Sequence, residues 1–195
     1  DEADRLVDMG FIKDLRRLVS ELQPDRQTLF FSATMPSEVQ GLVNSFLKEP
    51  VTVAVKKRET SVNVDQDIIR YTDSFHRMTL LHELLIKPEF TKVLIFGRTK
   101  HGVEKLHRNL AERGFTSVSI HGNKSQTQRQ QALNDFKSDR AQIMVATDVA
   151  ARGLDIPNVT HVINFEAPEN YADYVHRIGR TGRANNKGTA LTFVS

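Results

Sequence analysis

The sequence predicts an α/β fold in which a parallel sheet is covered by helices on both faces. Short apolar runs, such as residues 93–96 and 143–146, alternate along the chain with amphipathic patterns of helical spacing. Strands that are buried on both faces appear as continuous apolar runs, and parallel strands need helical crossovers between them. Polar motifs follow several of these runs, which places them at the carboxyl ends of strands, where such sheets bind ligands.

The first part of the chain is expected to hold two helices and two buried strands. An apolar pattern at helical spacing extends from Phe11 to Leu22. The apolar runs at residues 28–31 and 51–55 predict the strands, and Ser37 is a candidate N-cap for the helix between them.

The rest of the chain is expected to alternate strands with helices. The apolar runs predict strands at residues 68–71, 93–96, 118–120, 143–146, 161–165 and 190–194. Apolar residues at helical spacing predict helices around residues 80–85, 103–110, 132–136 and 171–178.

Charge is unevenly distributed along the chain. Residues 1–55 carry 6 Lys and Arg against 9 Asp and Glu, whereas residues 56–195 carry 21 against 15. Residues 56–61 are polar and have no apolar period, so residues 56–64 are interpreted as a linker, with an ordinary surface loop as the alternative. We therefore expect one domain at residues 1–55 and a second at residues 65–195, whose positive balance suits a polyanion.

Several classes of protein are disfavoured by composition. The 195 residues include no Cys and no long apolar run, so we expect no disulfide framework, no thiolate metal site, no transmembrane segment and no signal peptide. His82-Glu83 opens an H-E-x-x-H pattern, but Ile86 occupies the position of the second His, so we expect no zinc site. This composition is compatible with a cytoplasmic protein.

Acidic and basic motifs lie near opposite ends of the chain. Asp1-Glu2-Ala3-Asp4 has the composition of a magnesium and water site, although acids also favour a helix start. The run at residues 176–183 contains three arginines, a density that suits a bound anion. Arg180 and Arg183 are three residues apart and are expected to face one phosphate from the same side, with a solvated basic turn as the alternative.

Three further motifs carry polar groups between these ends. Ser32 and Thr34 follow a predicted strand, where their hydroxyls relay hydrogen bonds or cap a turn. Gln126 and Arg129 form a Q-x-x-R pair early in a helix, where backbone N–H groups favour phosphate, with a solvent-facing pair as the alternative. Residues 146–155 combine a strand end, a hydroxyl, two acids, an Arg and a Gly.

Taken in order, these motifs resemble the C-terminal part of a DEAD-box RNA helicase of superfamily 2. Six motifs occur in the order that the family has: D-E-A-D at 1–4, S-A-T at 32–34, L-I-F-G-R-T at 94–99, H-G-x-x-x-Q-x-x-R at 121–129, A-T-D-V-A-A-R-G-L-D at 146–155 and H-R-I-G-R-T-G-R at 176–183. The resemblance implies two RecA-like lobes, a partial first and a complete second. The sequences of residues 98–100 and 121–126 most resemble those of the bacterial RhlE-type branch.

The resemblance also implies an ATP-dependent RNA helicase, whose ATP hydrolysis is stimulated by RNA and coupled to local opening of RNA duplexes. Asp1 would hold Mg²⁺ through water, and Glu2 would activate the hydrolytic water. Arg180 and Arg183 would be arginine fingers on the γ-phosphate, and Asp155 would contact the ribose of ATP. The network that couples the two lobes would consist of Asp4, Ser32, Thr34 and His176. The RNA path would be lined by Arg98, Thr99, Gly122, Gln126, Arg129, Thr147 and Gly153.

Two family features do not occur in the 195 residues. The phosphate-binding loop G-x-x-x-x-G-K-[ST] and the adenine-reading Q motif are both absent. We therefore expect this polypeptide alone to hydrolyse ATP poorly. One alternative is an RNA-binding module with no catalysis of its own. The other is a DNA translocase of the wider superfamily, which the D-E-A-D and S-A-T motifs disfavour. The sequence names no protein partner.

Overall fold

The computed structural model describes residues 2–8, 10–32, 34–54, 63–183 and 186–195. The chain divides into two compact units, Asp1–Lys56 and Lys57–Ser195. Most of the linker predicted at residues 56–64 lies outside the described residues, so the predicted domain boundaries stay predictions.

Three helices form the regular structure in the described part of the first unit: α1 (Ala3–Asp8), α2 (Ile12–Ser20) and α3 (Ser37–Phe46). The predicted cap at Ser37 is wrong by one residue, because Pro36 occupies the N-cap position and Ser37 is already helical. The Ser37 hydroxyl donates a hydrogen bond to the carboxylate of Glu38 at 2.9 Å. Helix α3 buries Val39, Leu42 and Val43.

The strands predicted at residues 28–31 and 51–55 are wrong for the residues that the structure describes. Residues 28–31 and 51–54 belong to no strand, and residue 55 lies outside the described ranges. Leu29 and Phe31 are 68% and 59% exposed, and Val51 is 90% exposed, so these runs are not buried either. An extended segment becomes a strand only through a ladder of bonds to a neighbour, and residues 2–54 contain no such ladder where they are described.

A six-stranded parallel sheet forms the second unit, with the strand order β1-β6-β5-β2-β4-β3. The strands are β1 (Val64–Arg70), β2 (Val93–Phe96), β3 (Ser117–Ile120), β4 (Ile143–Ala146), β5 (His161–Asn164) and β6 (Gly188–Val194). The helices are α4 (Ser74–Leu85), α5 (Lys100–Glu112), α6 (Gln126–Lys137), α7 (Asp148–Ala151) and α8 (Tyr171–Ile178). Strand β1 begins inside the predicted linker, because Val64 already pairs with Gly188.

The core lies on both faces of this sheet, which confirms the predicted α/β class. Alternate residues of β2 point to opposite faces, so that Leu94 and Phe96 enter one hydrophobic cluster and Val93 and Ile95 enter the other. The first cluster is covered by α6, α7 and α8, and the second by α4 and α5. No helix in the described part of the chain is long and apolar enough to cross a membrane.

Side-chain caps determine where the longer helices of this unit begin. Each capping residue follows a strand and accepts hydrogen bonds from backbone N–H groups of the first helical turn. The caps are Asp73 for α4, Thr99 for α5, Ser125 for α6 and Asn170 for α8. The chain therefore leaves each strand through a short polar turn, and these turns gather at the carboxyl edge of the sheet.

Candidate functional site

In the first unit, Asp4 is joined to the S-A-T segment by a compact set of hydrogen bonds. Asp4 Oδ2 accepts from the Thr34 N–H at 3.0 Å and from the Thr34 hydroxyl at 2.7 Å. Ser32 Oγ accepts from the Asp4 N–H at 3.2 Å and donates to the Thr34 carbonyl at 2.6 Å. The structure brings together three of the four residues predicted for the coupling network, while His176 lies on α8 in the second unit.

The two acids predicted to act on Mg²⁺ and water stand at the start of the chain. Asp1 lies outside the described residues. Glu2 is exposed and has a φ of +51°, in the left-handed region that a residue with a Cβ seldom occupies. The carboxylates of D-E-A-D are the oxygen ligands that Mg²⁺ prefers. Within the described residues, no group of three His, Asp or Glu is arranged to hold a metal ion.

Arg177, the first arginine of the basic motif, is a buried structural residue. Its side chain is 1% exposed, and its Nε and Nη2 donate to the two carboxylate oxygens of Asp148 at 2.6 and 2.7 Å. Its Nη1 donates to the Glu166 carbonyl at 2.6 Å and to Asn164 Oδ1 at 3.2 Å. The anion that this arginine meets is therefore a carboxylate of the protein, and the contact ties α8 to the ends of β4 and β5.

Arg180 and Arg183, by contrast, lie beside the segment that follows α7. Arg180 Nη1 donates to the Leu154 carbonyl at 2.9 Å. Arg183 Nη1 is 3.6 Å from Asp155 Oδ1, and Arg183 Nε donates to the Gly179 carbonyl at 2.7 Å. The structure thus brings together the three residues of this unit that were predicted to contact ATP. The Asp155 side chain is 89% exposed, so the cluster is open to solvent.

A cleft of about 300 Å³ lies beside the same arginines. Among its described lining residues there are three positive side chains, Arg180, Arg183 and Lys187, and no Asp or Glu. Two neighbouring guanidinium groups and an ammonium group suit phosphate oxygens. The cleft therefore fits an anionic ligand.

Thr181 and two glycines define the turn that carries these arginines. Thr181 is 1% exposed, and its hydroxyl donates to the Val159 carbonyl. Gly182 has a φ of +66°, and a Cβ at Gly188 would collide with the Thr181 side chain. The turn is consequently anchored at its centre, with Arg180 and Arg183 on either side of Thr181.

The residues predicted to bind RNA lie at the carboxyl edge of the sheet. Arg98 and Thr99 follow β2, Gly122 follows β3 and Thr147 follows β4. The Thr99 hydroxyl caps α5 by accepting from the Gly102 N–H at 3.0 Å. The remaining predicted contacts are at the start of α6, where Gln126 and Arg129 lie, and at Gly153 after α7.

Arg129 already has partners within the protein. Its Nε donates to the Lys124 carbonyl at 3.0 Å, and its Nη2 donates to the Gly122 carbonyl at 3.5 Å. Two of the five guanidinium donors thus form hydrogen bonds to the loop that precedes α6. Arg129 shapes this loop in addition to any contact that it makes with a ligand.

Glu104 of α5 holds the other side of the same loop. Its Oε2 accepts from Ser119 Oγ at 2.9 Å, from His121 Nε2 at 3.0 Å and from Lys124 Nζ at 3.0 Å. The hydrogen bond from His121, followed by those from Lys124 and Ser119, lowers the pKa of Glu104 to about 2 in spite of partial burial. Glu104 is therefore a carboxylate throughout the physiological range.

Two family models match the chain. The helicase conserved C-terminal domain matches residues 76–185, and the DEAD/DEAH box helicase matches residues 1–42. The chain belongs to the DEAD-box RNA helicase family. The family that the motifs indicated is thus confirmed.

Curated DEAD-box relatives align with nearly the whole chain. It is 44% identical over 197 residues to the ATP-dependent RNA helicase dbp2 of Botryotinia fuckeliana, covering 99% of this chain and 34% of the relative. It is 45% identical over 198 residues to DEAD-box ATP-dependent RNA helicase 30 of Arabidopsis thaliana, covering 99% and 33%. For the ATP-dependent RNA helicase CshA of Limosilactobacillus reuteri the identity is 43% over 196 residues, covering 100% and 39%. The chain thus spans about a third of the length of the relatives it matches.

Solved DEAD-box structures share the fold. S. cerevisiae Dbp5 bound to RNA and ADP BeF3 is 30% identical with a TM-score of 0.84, covering 100% of this chain and 52% of that one. The E. coli protein SrmB is 42% identical with a TM-score of 0.65, covering 67% and 77%. The predicted RecA-like α/β fold is therefore confirmed.

In this DEAD-box protein, two side chains that hold neighbouring segments in place were not predicted from the sequence. Arg177 was grouped with the other arginines of its motif, although the acid that pairs with it, Asp148, stands in the A-T-D segment. Glu104 belongs to no quoted motif, and the only signal for it was an acid within a largely basic stretch of helix. Neither role is visible without the long-range contacts.

Proposed function

We propose that this chain is part of an ATP-dependent RNA helicase, in which RNA-stimulated ATP hydrolysis drives the local opening of RNA duplexes. The observation that supports this proposal is the cluster of Arg180, Arg183 and Asp155 beside a cleft whose described lining contains no Asp or Glu. Relatives about three times as long carry the helicase name. The whole reaction belongs to the larger protein, of which these residues supply one part.

Arg180 and Arg183 act on the terminal phosphate of ATP in this proposal. Charge develops on the phosphoryl oxygens in the transition state, and a guanidinium that meets it accelerates related reactions by about 10³–10⁵. The anchored turn around Thr181 supports this role, because a preorganised donor needs no rearrangement at the moment of reaction. Asp155 accepts a hydrogen bond from the ribose hydroxyls.

The acids of the first unit complete the nucleotide chemistry. Asp1 would hold Mg²⁺, and Glu2 would accept the proton of the attacking water. When bound, Mg²⁺ supplies positive charge to the phosphates. Asp4, with Ser32 and Thr34, forms the first-unit half of the network that links hydrolysis to RNA, and the bonds between them support that assignment.

The carboxyl edge of the second sheet is proposed to bind the RNA strand through its sugars and phosphates. Exposed Arg98, exposed Thr99 and the N–H groups at the start of α6 suit such contacts, whereas the predicted contact Thr147 is buried. Contacts of this kind position RNA without reading its bases, and contacts to the 2′-hydroxyl select RNA over DNA.

An RNA-binding module with no catalysis of its own is the second candidate for residues 1–195 taken alone. Every proposed RNA contact lies in the second unit, which supports RNA binding independently of ATP turnover. Poor ATP hydrolysis by this polypeptide alone is expected under both candidates.

Two finer assignments are also proposals. A bacterial RhlE-type subfamily is suggested by the wording at residues 98–100 and 121–126, whereas the relatives named above are fungal, plant and bacterial proteins of other names. A cytoplasmic location is suggested by the absence of Cys from the sequence.

A reconstitution assay tests the proposal. The chain is mixed with an intact first RecA-like lobe from a DEAD-box relative, and phosphate release is measured with single-stranded RNA, with DNA of the same length and with neither. We expect turnover that RNA stimulates and DNA does not. RNA binding without any turnover in the mixture would favour the module, and stimulation by DNA would favour a translocase.

A further inference from the structure

The loop at residues 121–125, which joins β3 to α6, is held from both sides by charged side chains. On one side Glu104 accepts from His121 Nε2 at 3.0 Å and from Lys124 Nζ at 3.0 Å. On the other side Arg129 donates to the carbonyls of Lys124 and Gly122. Lys124 is therefore gripped twice, through its ammonium group by α5 and through its carbonyl by α6.

The imidazole of His121 connects the Glu104 carboxylate to the backbone of the loop through hydrogen bonds. His121 is 4% exposed, and the Asn123 N–H points at its Nδ1 over 3.3 Å. Because Nδ1 accepts this bond, the ring proton lies on Nε2 and is donated to Glu104. The carboxylate, the ring and the Asn123 amide form one continuous chain of hydrogen bonds.

We propose that Glu104 is a positioning residue for RNA binding, which holds the 121–125 loop so that Gly122 and the first turn of α6 face the RNA backbone. The inference rests on the proposed RNA contacts of Gly122, Gln126 and Arg129. Glu104 touches no RNA in this arrangement and acts through His121 and Lys124.

The negative charge of Glu104 allows a binding experiment to distinguish the positioning role from a purely electrostatic effect. A carboxylate beside a polyanion site opposes binding, because RNA affinity rises with the positive charge that meets its phosphates. Removing such a carboxylate is expected to tighten binding if only its charge matters. The positioning role predicts the opposite sign, because the loss of the contacts from His121 and Lys124 to Glu104 releases the loop.

The test measures binding of a fluorescent oligouridylate to the 195-residue chain and to three variants. Glu104→Ala removes the hold, Glu104→Gln keeps one acceptor oxygen without the charge, and Glu112→Ala removes an exposed carboxylate from the same helix. We expect about tenfold weaker binding for Glu104→Ala, partial recovery for Glu104→Gln and equal or tighter binding for Glu112→Ala. Circular dichroism checks the fold of each variant.

Equal or tighter binding by both Glu104 variants overturns the positioning role and leaves the proposed function intact. A wild-type chain that binds no oligouridylate overturns the proposed RNA contacts and, with them, the role of Glu104 in RNA binding. Nitrogen NMR of the His121 ring gives a readout that needs no RNA. We expect a protonated Nε2 and an unprotonated Nδ1 in the wild type, and a changed ring signal in Glu104→Gln, which stays folded if Glu104→Ala does not. The reverse tautomer in the wild type would overturn the proposal.

Discussion

Arg177 and Asp148 form a bidentate ion pair, with both nitrogen–oxygen distances below 3 Å and only 1% of the arginine exposed. The pair joins α8 to the start of α7, so one end of the helix that leads to Arg180 and Arg183 is held by an ion pair and hydrogen bonds. It also separates the arginines of one motif into two kinds, one that stabilises the fold and two that lie beside an open cleft.

Loss of the buried pair is expected to destabilise the protein strongly. Arg177→Ala leaves the Asp148 carboxylate without its partner, and breaking such a pair costs about 3–5 kcal/mol. Arg177→Lys should recover only part of this loss, because an ammonium group cannot reproduce the two parallel bonds. Urea unfolding measures the free energies, with exposed Arg113→Ala as the control. Equal midpoints for Arg177→Ala and Arg113→Ala would contradict the structural role.

Replacement of a proposed finger should separate catalysis from RNA binding. Arg183→Ala, in the reconstituted system, is expected to lower ATP turnover by about 10³ or more, because positive charge is withdrawn from the phosphoryl oxygens. RNA affinity should stay nearly unchanged, since Arg183 lies beside the cleft and Asp155 rather than at the carboxyl edge. Phosphate release and RNA anisotropy are measured on the same preparation. A parallel loss of both would mean that Arg183 has another role.

Arg129→Ala should weaken RNA binding and reduce its dependence on salt. Removing one side chain that neutralises a phosphate of single-stranded RNA reduces the steepness of log K against log salt by about 0.7. Because Arg129 also holds the Lys124 and Gly122 carbonyls, the loss of affinity should exceed the part explained by the slope. Exposed Lys137→Ala on the same helix is the control. An unchanged slope would remove Arg129 from the RNA-binding residues.

The low pKa of Glu104 predicts how its contribution to stability varies with pH. A carboxyl whose pKa falls from 4.5 to about 2 on folding stabilises the protein above its unfolded pKa, and this contribution is lost as the pH falls through the folded value. The difference in unfolding free energy between wild type and Glu104→Gln should therefore be largest at neutral pH and shrink between about pH 4.5 and 2. Urea titrations across this range test it. A constant difference would show that the charge of Glu104 does not stabilise the fold.

The hydroxyl of Thr181 is expected to contribute more to stability than the volume of its side chain. Thr181→Val keeps the volume but leaves the Val159 carbonyl without its donor in a buried position, which costs about 1–3 kcal/mol. Thr181→Ser keeps the donor and should be milder. Thermal unfolding and, in the reconstituted system, ATP turnover are compared for the two variants. Equal behaviour of the valine and serine variants would show that the hydrogen bond does not anchor the turn.

The sequence by itself determined the α/β class, most elements of the second unit and the family. Residues 93–96, 143–146 and 171–178 were predicted with the bounds that the structure has, because apolar periodicity is a local property. The family followed from the order of six motifs, which needs no coordinates.

Only the tertiary structure decided which side chains meet. Arg177 finds Asp148 29 positions away, because the strands that precede them, β5 and β4, both pair with β2. Glu104 finds His121 17 positions away, because α5 packs against β3. The same dependence explains the strand predictions that failed at residues 28–31 and 51–55, since a strand exists only when a neighbour completes its hydrogen bonds. The local sequence pattern indicates whether a segment is a helix or a strand. Contacts with residues remote in sequence determine whether it is buried and what its side chains bind.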